Sequence, residues 1–223
     1  MTFRETYPSC SSDDSPVGLA GSPDGSAKLD QTAAAFRAFL ESLGLDLRDP
    51  NLEGTDRRVA RAYQELLRGL KPDAEPVLSS FPNDGGHRGI VVVAYIPFYA
   101  ICAHHFLPFF GTVNVGYVPG ARLLGLSKFA RVVDFYARRP QLQERMTEQI
   151  ASLLDERLAP EGVIVSVEGR HMCMEMRGIS APGVLTSTLA TRGTLNDPAL
   201  QQQFMSRITG THSPLEARRH HHA

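Results

Sequence analysis

The sequence predicts an α+β domain built on an antiparallel sheet. Three observations carry that expectation. Two segments of helical period come first in the ordered chain. Two β-branched runs then follow one another with no helix between them. Two further helical segments lead to a second pair of strands. Grouped strands and grouped helices, rather than strict alternation, mark α+β architecture. The 223 residues are 42% hydrophobic and 21% charged, enough for one sizeable core or two small ones.

Residues 1–27 are rich in Ser, Asp, Gly and Pro and show no hydrophobic period, so they read as a disordered tail. A helical segment spans 28–72. From Asp30 to Leu43 the apolar residues Ala33, Phe36, Phe39, Leu40 and Leu43 recur at helical spacing, and Gly44 supplies the stop. A second helix starts after Thr55, with Val59, Ala62, Tyr63, Leu66 and Leu67 on one face and Gly69 at its end. "KPDAEP" is a connector into a sheet-containing domain over 73–209. There "IVVVAYIPFY" reads as a strand that Pro97 ends. A second strand runs from about Phe109 to Val118. Ser127 fits the N-cap of a helix that turns Phe129, Val132, Val133 and Tyr136 inward; Pro140 interrupts, and helix resumes to about Leu158.

From Gly162 the β-branched run "GVIVSVE" opens a strand that continues into "EGRHMCMEMRG". Strand alternation puts Met172, Met174 and Met176 on one face and His171, Cys173, Glu175 and Arg177 on the other. The alternative is an edge strand with a solvated polar face. "TLNDPALQQQFMSRIT" forms a last short helix, and 210–223 is a C-terminal tail whose "RRHHHA" is assigned no function.

Net charge is −1, so no basic excess argues for nucleic acid, and no apolar run reaches membrane-spanning length. The N-terminus carries no secretory pattern. Three cysteines are too few for a disulfide scaffold. A cytoplasmic protein with reduced thiols is the simplest expectation.

Chemistry concentrates in four stretches. In "ICAHHFLPF", Cys102 and His105 stand in C-x-x-H spacing, a turn that can aim both side chains at one ion while His104 points elsewhere. Adding Cys173 gives two sulfurs and one imidazole, a set that suits zinc. Three protein ligands leave a tetrahedral position open, as catalytic rather than structural zinc requires. The alternative is two buried core cysteines beside unrelated histidines. In "GLSKFARVVDF", Lys128 and Arg131 crowd a helix start that the dipole makes unfavourable for cations, which hints at a bound phosphate; a solvated basic helix start is the other reading. In "RRPQLQERMT", Pro140 fixes Gln141, Gln143 and Glu144 near a helix start, where a carboxylate can accept two N–H groups from a planar base edge; a surface or capping glutamate is the plainer alternative.

The motifs "CAHHFLPFFG", "GYVPGARLLGLSKFARVVDFYARRPQLQERMT" and "EGRHMCMEMRG" together resemble the GTP cyclohydrolase I family, over roughly Thr55 to Ile208. The resemblance implies a T-fold, an antiparallel sheet backed by two helices, assembling into a toroidal homodecamer with active sites between subunits. It implies Zn2+ on Cys102, His105 and Cys173, and catalytic roles for His104, His171 and Ser127. Glu144, helped by Gln143, is implied to hold guanine. Lys128, Arg131 and Arg177 would surround the ribose and triphosphate, and Arg58 would reach a neighbour's triphosphate. The implied reaction opens the imidazole ring of GTP at C8, releases formate and ends at 7,8-dihydroneopterin triphosphate, the first step of folate and pterin biosynthesis. Departures from the family pattern are Ala103 for a glutamate, Ala100 for a serine and Asp56 for a common proline. They leave open a paralogue with an altered or arrested reaction, or a non-catalytic nucleotide-binding homologue.

Overall fold

The computed structural model describes residues 23–209. Both expected tails beyond those limits lie outside the described residues. The chain divides into two compact units, one through Ala62 and one from Tyr63 onward.

The first unit holds helix α1 (Pro23–Ser42) and most of α2 (Thr55–Leu66). Helix α1 thus begins inside the stretch expected to be disordered. It stops before Gly44, whose φ of +78° is the left-handed conformation that glycine adopts without a Cβ penalty. Arg37 bridges to Asp56 at 2.9 Å and Arg57 to Asp30 at 2.5 Å. The Arg57 N–H on its carboxylate, with Arg37 adding to it, holds buried Asp56 below the usual carboxylate range.

The second unit contains, in order, β1 (Ser80–Pro82), β2 (Val91–Cys102), β3 (Pro108–Val118), β4 (Arg122–Leu124), α3 (Leu126–Ala137), β5 (Pro140–Gln141), α4 (Gln143–Leu158), β6 (Gly162–His171), α5 (Met172–Glu175), β7 (Thr186–Gly193) and α6 (Pro198–Thr209). The main sheet has the order β5-β2-β3-β6-β7, and β1 pairs with β4 apart from it. Its four long strands are mutually antiparallel, as expected; β5 joins β2 in parallel.

Helices α3 and α4 cover one face through Phe129, Val132, Val133, Met146, Ile150 and Leu154, packed on Val113, Val115, Val163, Val165 and Val167. Helix α6 covers part of the other through Phe204 and Ile208, packed on Ile90, Val118 and Ile164. Cover on both faces explains why "GVIVSVE" alternates poorly: Gly162 to Val167 are all buried, so both faces demand apolar or small residues. Gly116 makes the room, since a Cβ there would lie 2.7 Å from the Phe204 ring.

Three local expectations are corrected. Pro97 does not end its strand. β2 runs on to Cys102, with Pro97 opposite Thr112, because its second edge is joined only at Ile101 and Cys102 and a missing N–H costs little at an open edge. The helix cap is Gly125, not Ser127: extended Gly125 accepts the Lys128 N–H at 2.8 Å, and exposed Ser127 lies inside the first turn. The methionine segment is not a strand. Phe109 opposite His171 is the last pair of the β3–β6 ladder, so the chain beyond has no partner and coils into the single turn α5. Met172 and Met174 are only half-buried and Met176 is 65% exposed, so no methionine stripe enters the core.

Candidate active site

The site forms where β2, β5, α4, β6 and α5 end together. Cys102 closes β2, and the following turn is tied in three places. Phe106 N–H donates to the Cys102 carbonyl at 2.9 Å, Cys102 N–H to the Leu107 carbonyl at 2.8 Å, and Ala103 N–H to the Gln141 carbonyl at 2.9 Å. Phe106 takes a left-handed φ of +56° and stacks on Tyr63 at 5.6 Å, which seats the turn. The His104 and His105 rings stand perpendicular, with centroids 6.2 Å apart.

The ligand atoms of Cys102, His105 and Cys173 all lie within 4.8 Å of one another. Bonds of about 2.0–2.3 Å around a tetrahedral zinc would set them roughly 3.3–3.8 Å apart, so the donors fit one ion with a small contraction. Burial pushes the Cys173 thiol up; the adjacent Cys102 sulfur, in hydrogen-bond contact with it, pushes further. A divalent cation reverses that penalty by stabilising thiolates. Chemistry and spacing both fit a metal.

One cavity of about 210 Å³ joins this triad to His104, Gln143, Glu144 and His171. Strand β5 makes the junction. Its two residues pair with Ile101 and Cys102, setting the first turn of α4 beside the cysteine. Glu144 is exposed in that turn, where the helix dipole favours a carboxylate. His171 stacks flat on buried Phe109, with centroids 4.7 Å apart and planes 7° apart. Burial lowers the His171 pKa, and the Glu144 charge opposes that shift.

Cys173 is held through its neighbours. Glu175 takes a two-pronged bond from Arg170 of β6, with Nε donating at 2.8 Å and a second guanidinium N–H on the other oxygen. Gly183 N–H also donates to that carboxylate, and Arg170 above all holds it below the usual range. Ala181 N–H donates to the Met174 carbonyl at 2.9 Å. Residues from three segments thereby fix the turn that carries the thiol.

The remaining expected residues do not line this cavity. Ser127 and Arg131 are exposed on α3, Lys128 is half-buried there, and Arg177 is exposed after α5. Arg58 lies exposed in the first unit, donating to Thr55 Oγ1 at 2.7 Å. Phe109 and the Arg170–Glu175 pair escaped sequence reasoning. Phe109 carries no polar atom to flag it, and Glu175 looked like one more group on a polar strand face. Ala103 leaves nothing stranded, because no buried side-chain N or O among the described residues lacks a partner.

The described helices include none long and apolar enough to cross a membrane. The family model of GTP cyclohydrolase I matches residues 32–209. A GTP cyclohydrolase 1 of Halalkalibacterium halodurans is 49% identical over 175 residues, 77% of this chain and 92% of that protein. One from Streptomyces griseus is 50% identical over 177 residues, 78% of this chain and 88% of that protein. A solved structure of the archaeosine synthase QueF-Like, in the apo form, aligns at TM-score 0.38 and 21% identity over 47% of this chain and 94% of its own, too distant to bear on fold or chemistry. With the family match spanning both units and the whole cavity, the chain belongs to the GTP cyclohydrolase I family.

Proposed function

We propose that this protein opens the imidazole ring of GTP by hydrolysis at C8, releases formate and carries the product on to 7,8-dihydroneopterin triphosphate, the entry step of pterin and folate synthesis. The observation that carries this reading is the convergence of a Cys–Cys–His triad with His104, His171 and Glu144 in one cavity. Cys102, His105 and Cys173 would hold Zn2+, which when bound supplies Lewis-acid activation of water near neutral pH.

The chain's own groups supply the rest. The Glu144 carboxylate can accept two N–H groups from the Watson–Crick edge of guanine, which orients C8 towards the triad. Gln143 stands beside it with its side chain turned to His171. His171, on its aromatic floor, is suited to take up the proton that the attacking water releases and pass it to N7 as the C8–N bond breaks, and His104 to move protons at the reacting carbon. Ser127, Lys128, Arg131, Arg177 and a neighbour's Arg58 would take the ribose and triphosphate. A cavity of about 210 Å³ is smaller than the roughly 300–1,000 Å³ of typical ligand pockets, which supports a site completed by a second subunit. Membership in the family supports a T-fold assembled as a toroidal homodecamer and a cytoplasmic setting that keeps the thiols reduced.

The test is formate release from GTP by the zinc-loaded protein, read alongside the fluorescence of the oxidised product. Both signals are expected. Formate without pterin fluorescence would mean arrest after ring opening, and GTP binding without formate would mean a non-catalytic homologue.

A further inference from the structure

We infer that Gln143 is a positioning residue for His171 rather than a contact to the base: its side-chain carbonyl fixes the proton on His171 Nε2 and leaves Nδ1 to face the reaction. The inference rests on His171 acting in the proposed reaction.

Gln143 is 1% exposed, and every polar atom of its amide is committed. Nε2 donates to the Thr186 carbonyl at 2.9 Å and the Val167 carbonyl at 3.1 Å, with Thr188 Oγ1 at 3.3 Å. Both carbonyls can only accept, so the NH2 group must face them. Flipping the amide would set its oxygen against two carbonyl oxygens. The orientation therefore follows from its partners. Oε1 is then the atom 2.9 Å from His171 Nε2, and an amide oxygen can only accept. Nε2 must carry the hydrogen.

A second chain of bonds holds the same orientation. Thr147 Oγ1 donates its single hydrogen to the Gln143 backbone carbonyl at 2.8 Å. In the 2.7 Å contact between Thr147 and Thr188, Thr188 must then be the donor. Its lone pairs are left to accept from Gln143. The circuit Gln143–Thr188–Thr147–Gln143 thus runs in one direction, and residues of α4 and β7 close it. The Phe109 stack fixes the plane of the imidazole and Gln143 fixes its rotation within that plane. Nδ1 has no protein partner among the described residues, and His171 lines the cavity. A side chain so committed has no donor left for guanine, which leaves Glu144 as the base-recognising member of the pair.

The experiment uses full-length, zinc-loaded protein labelled with 15N in its histidine rings, with His171 assigned by difference against His171→Asn. Solid-state NMR of the wild type should show Nε2 protonated and Nδ1 bare in the neutral ring. Gln143→Met keeps the volume and removes the acceptor. It should mix the two tautomers and lower kcat for formate release by about 10–100-fold, part of the roughly 10²–10⁴-fold that positioned proton transfer supplies, while KM for GTP stays within about twofold of wild type. A wild-type ring protonated at Nδ1 overturns the inference without any variant having to fold. So does a Gln143→Met protein whose KM rises while kcat holds, because that pattern marks lost base contact. The NMR readout needs no substrate. Its failure is therefore separable from failure of the reaction itself, which wild-type formate release reports.

Discussion

Replacing Phe109 by leucine removes the floor under His171 while keeping most of the buried volume. Phe109 is fully buried. It makes two ring contacts, flat against His171 at 4.7 Å and edge-on to Phe98 at 5.6 Å and 69°. Each such pair is worth about 0.5–1.5 kcal/mol beyond area burial, and the near-isosteric swap alone costs under about 1.5 kcal/mol. The sum is roughly 1–4.5 kcal/mol. At about 2–4 °C per kcal/mol for a chain of this size, the melting temperature should fall by roughly 2–18 °C. His171 keeps its bond to Gln143 but gains freedom to tilt, so kcat should fall while zinc content stays constant. The assay pairs thermal unfolding of the zinc-loaded protein with initial rates of formate release. A double-mutant cycle with His171→Asn then isolates the shared contact. If Phe109→Leu melts and turns over like wild type, the stack contributes neither stability nor alignment, and the reasoning from ring geometry to catalysis is wrong.

Lys128→Ala should weaken GTP binding by roughly 10–100-fold, the worth of a hydrogen bond to a charged group, and leave guanosine unchanged; equal loss for both, by calorimetry, would remove Lys128 from the triphosphate site. Glu175→Gln should loosen the turn that carries Cys173 and raise the zinc dissociation constant by about tenfold, the lower end for groups that support metal ligands. Competition with a chelating dye measures it, and an unchanged constant would show that the Arg170 bond does not hold the thiol in place.

Much of this arrangement was legible in the chain because its signals are chemical. Cysteine and histidine are poor choices for a solvated surface, so Cys102, His105 and Cys173 stood out before any geometry was known, and they do converge. The five long helices and the strands β2, β3 and β6 followed from hydrophobic period and β-branched runs, whereas β1, β4, β5 and β7 were not placed. What sequence missed depends on partners. Whether "HMCME" extends or coils turns on where β3 stops, since a strand without a neighbour loses its ladder. Pro97 reads as a terminator until the open edge of β2 is known. Pro140 and Gln141 form a strand too short for any periodicity, yet that strand sets Glu144 beside Cys102. Ser127 resembles a cap by type, but Gly125 already accepts the bond. The role of Gln143 was hidden because an amide beside a carboxylate looks like a base contact until its four partners are seen.

The most direct measurement is zinc content and X-ray absorption at the zinc edge for wild-type protein and Cys173→Ser, on the same samples whose formate release is assayed. The wild type should hold zinc through the Cys102–His105–Cys173 group, with two sulfurs and one imidazole nitrogen around it, and the serine variant should lose both metal and turnover. Full zinc occupancy and undiminished formate release in Cys173→Ser would contradict the shared metal centre on which the proposed reaction stands.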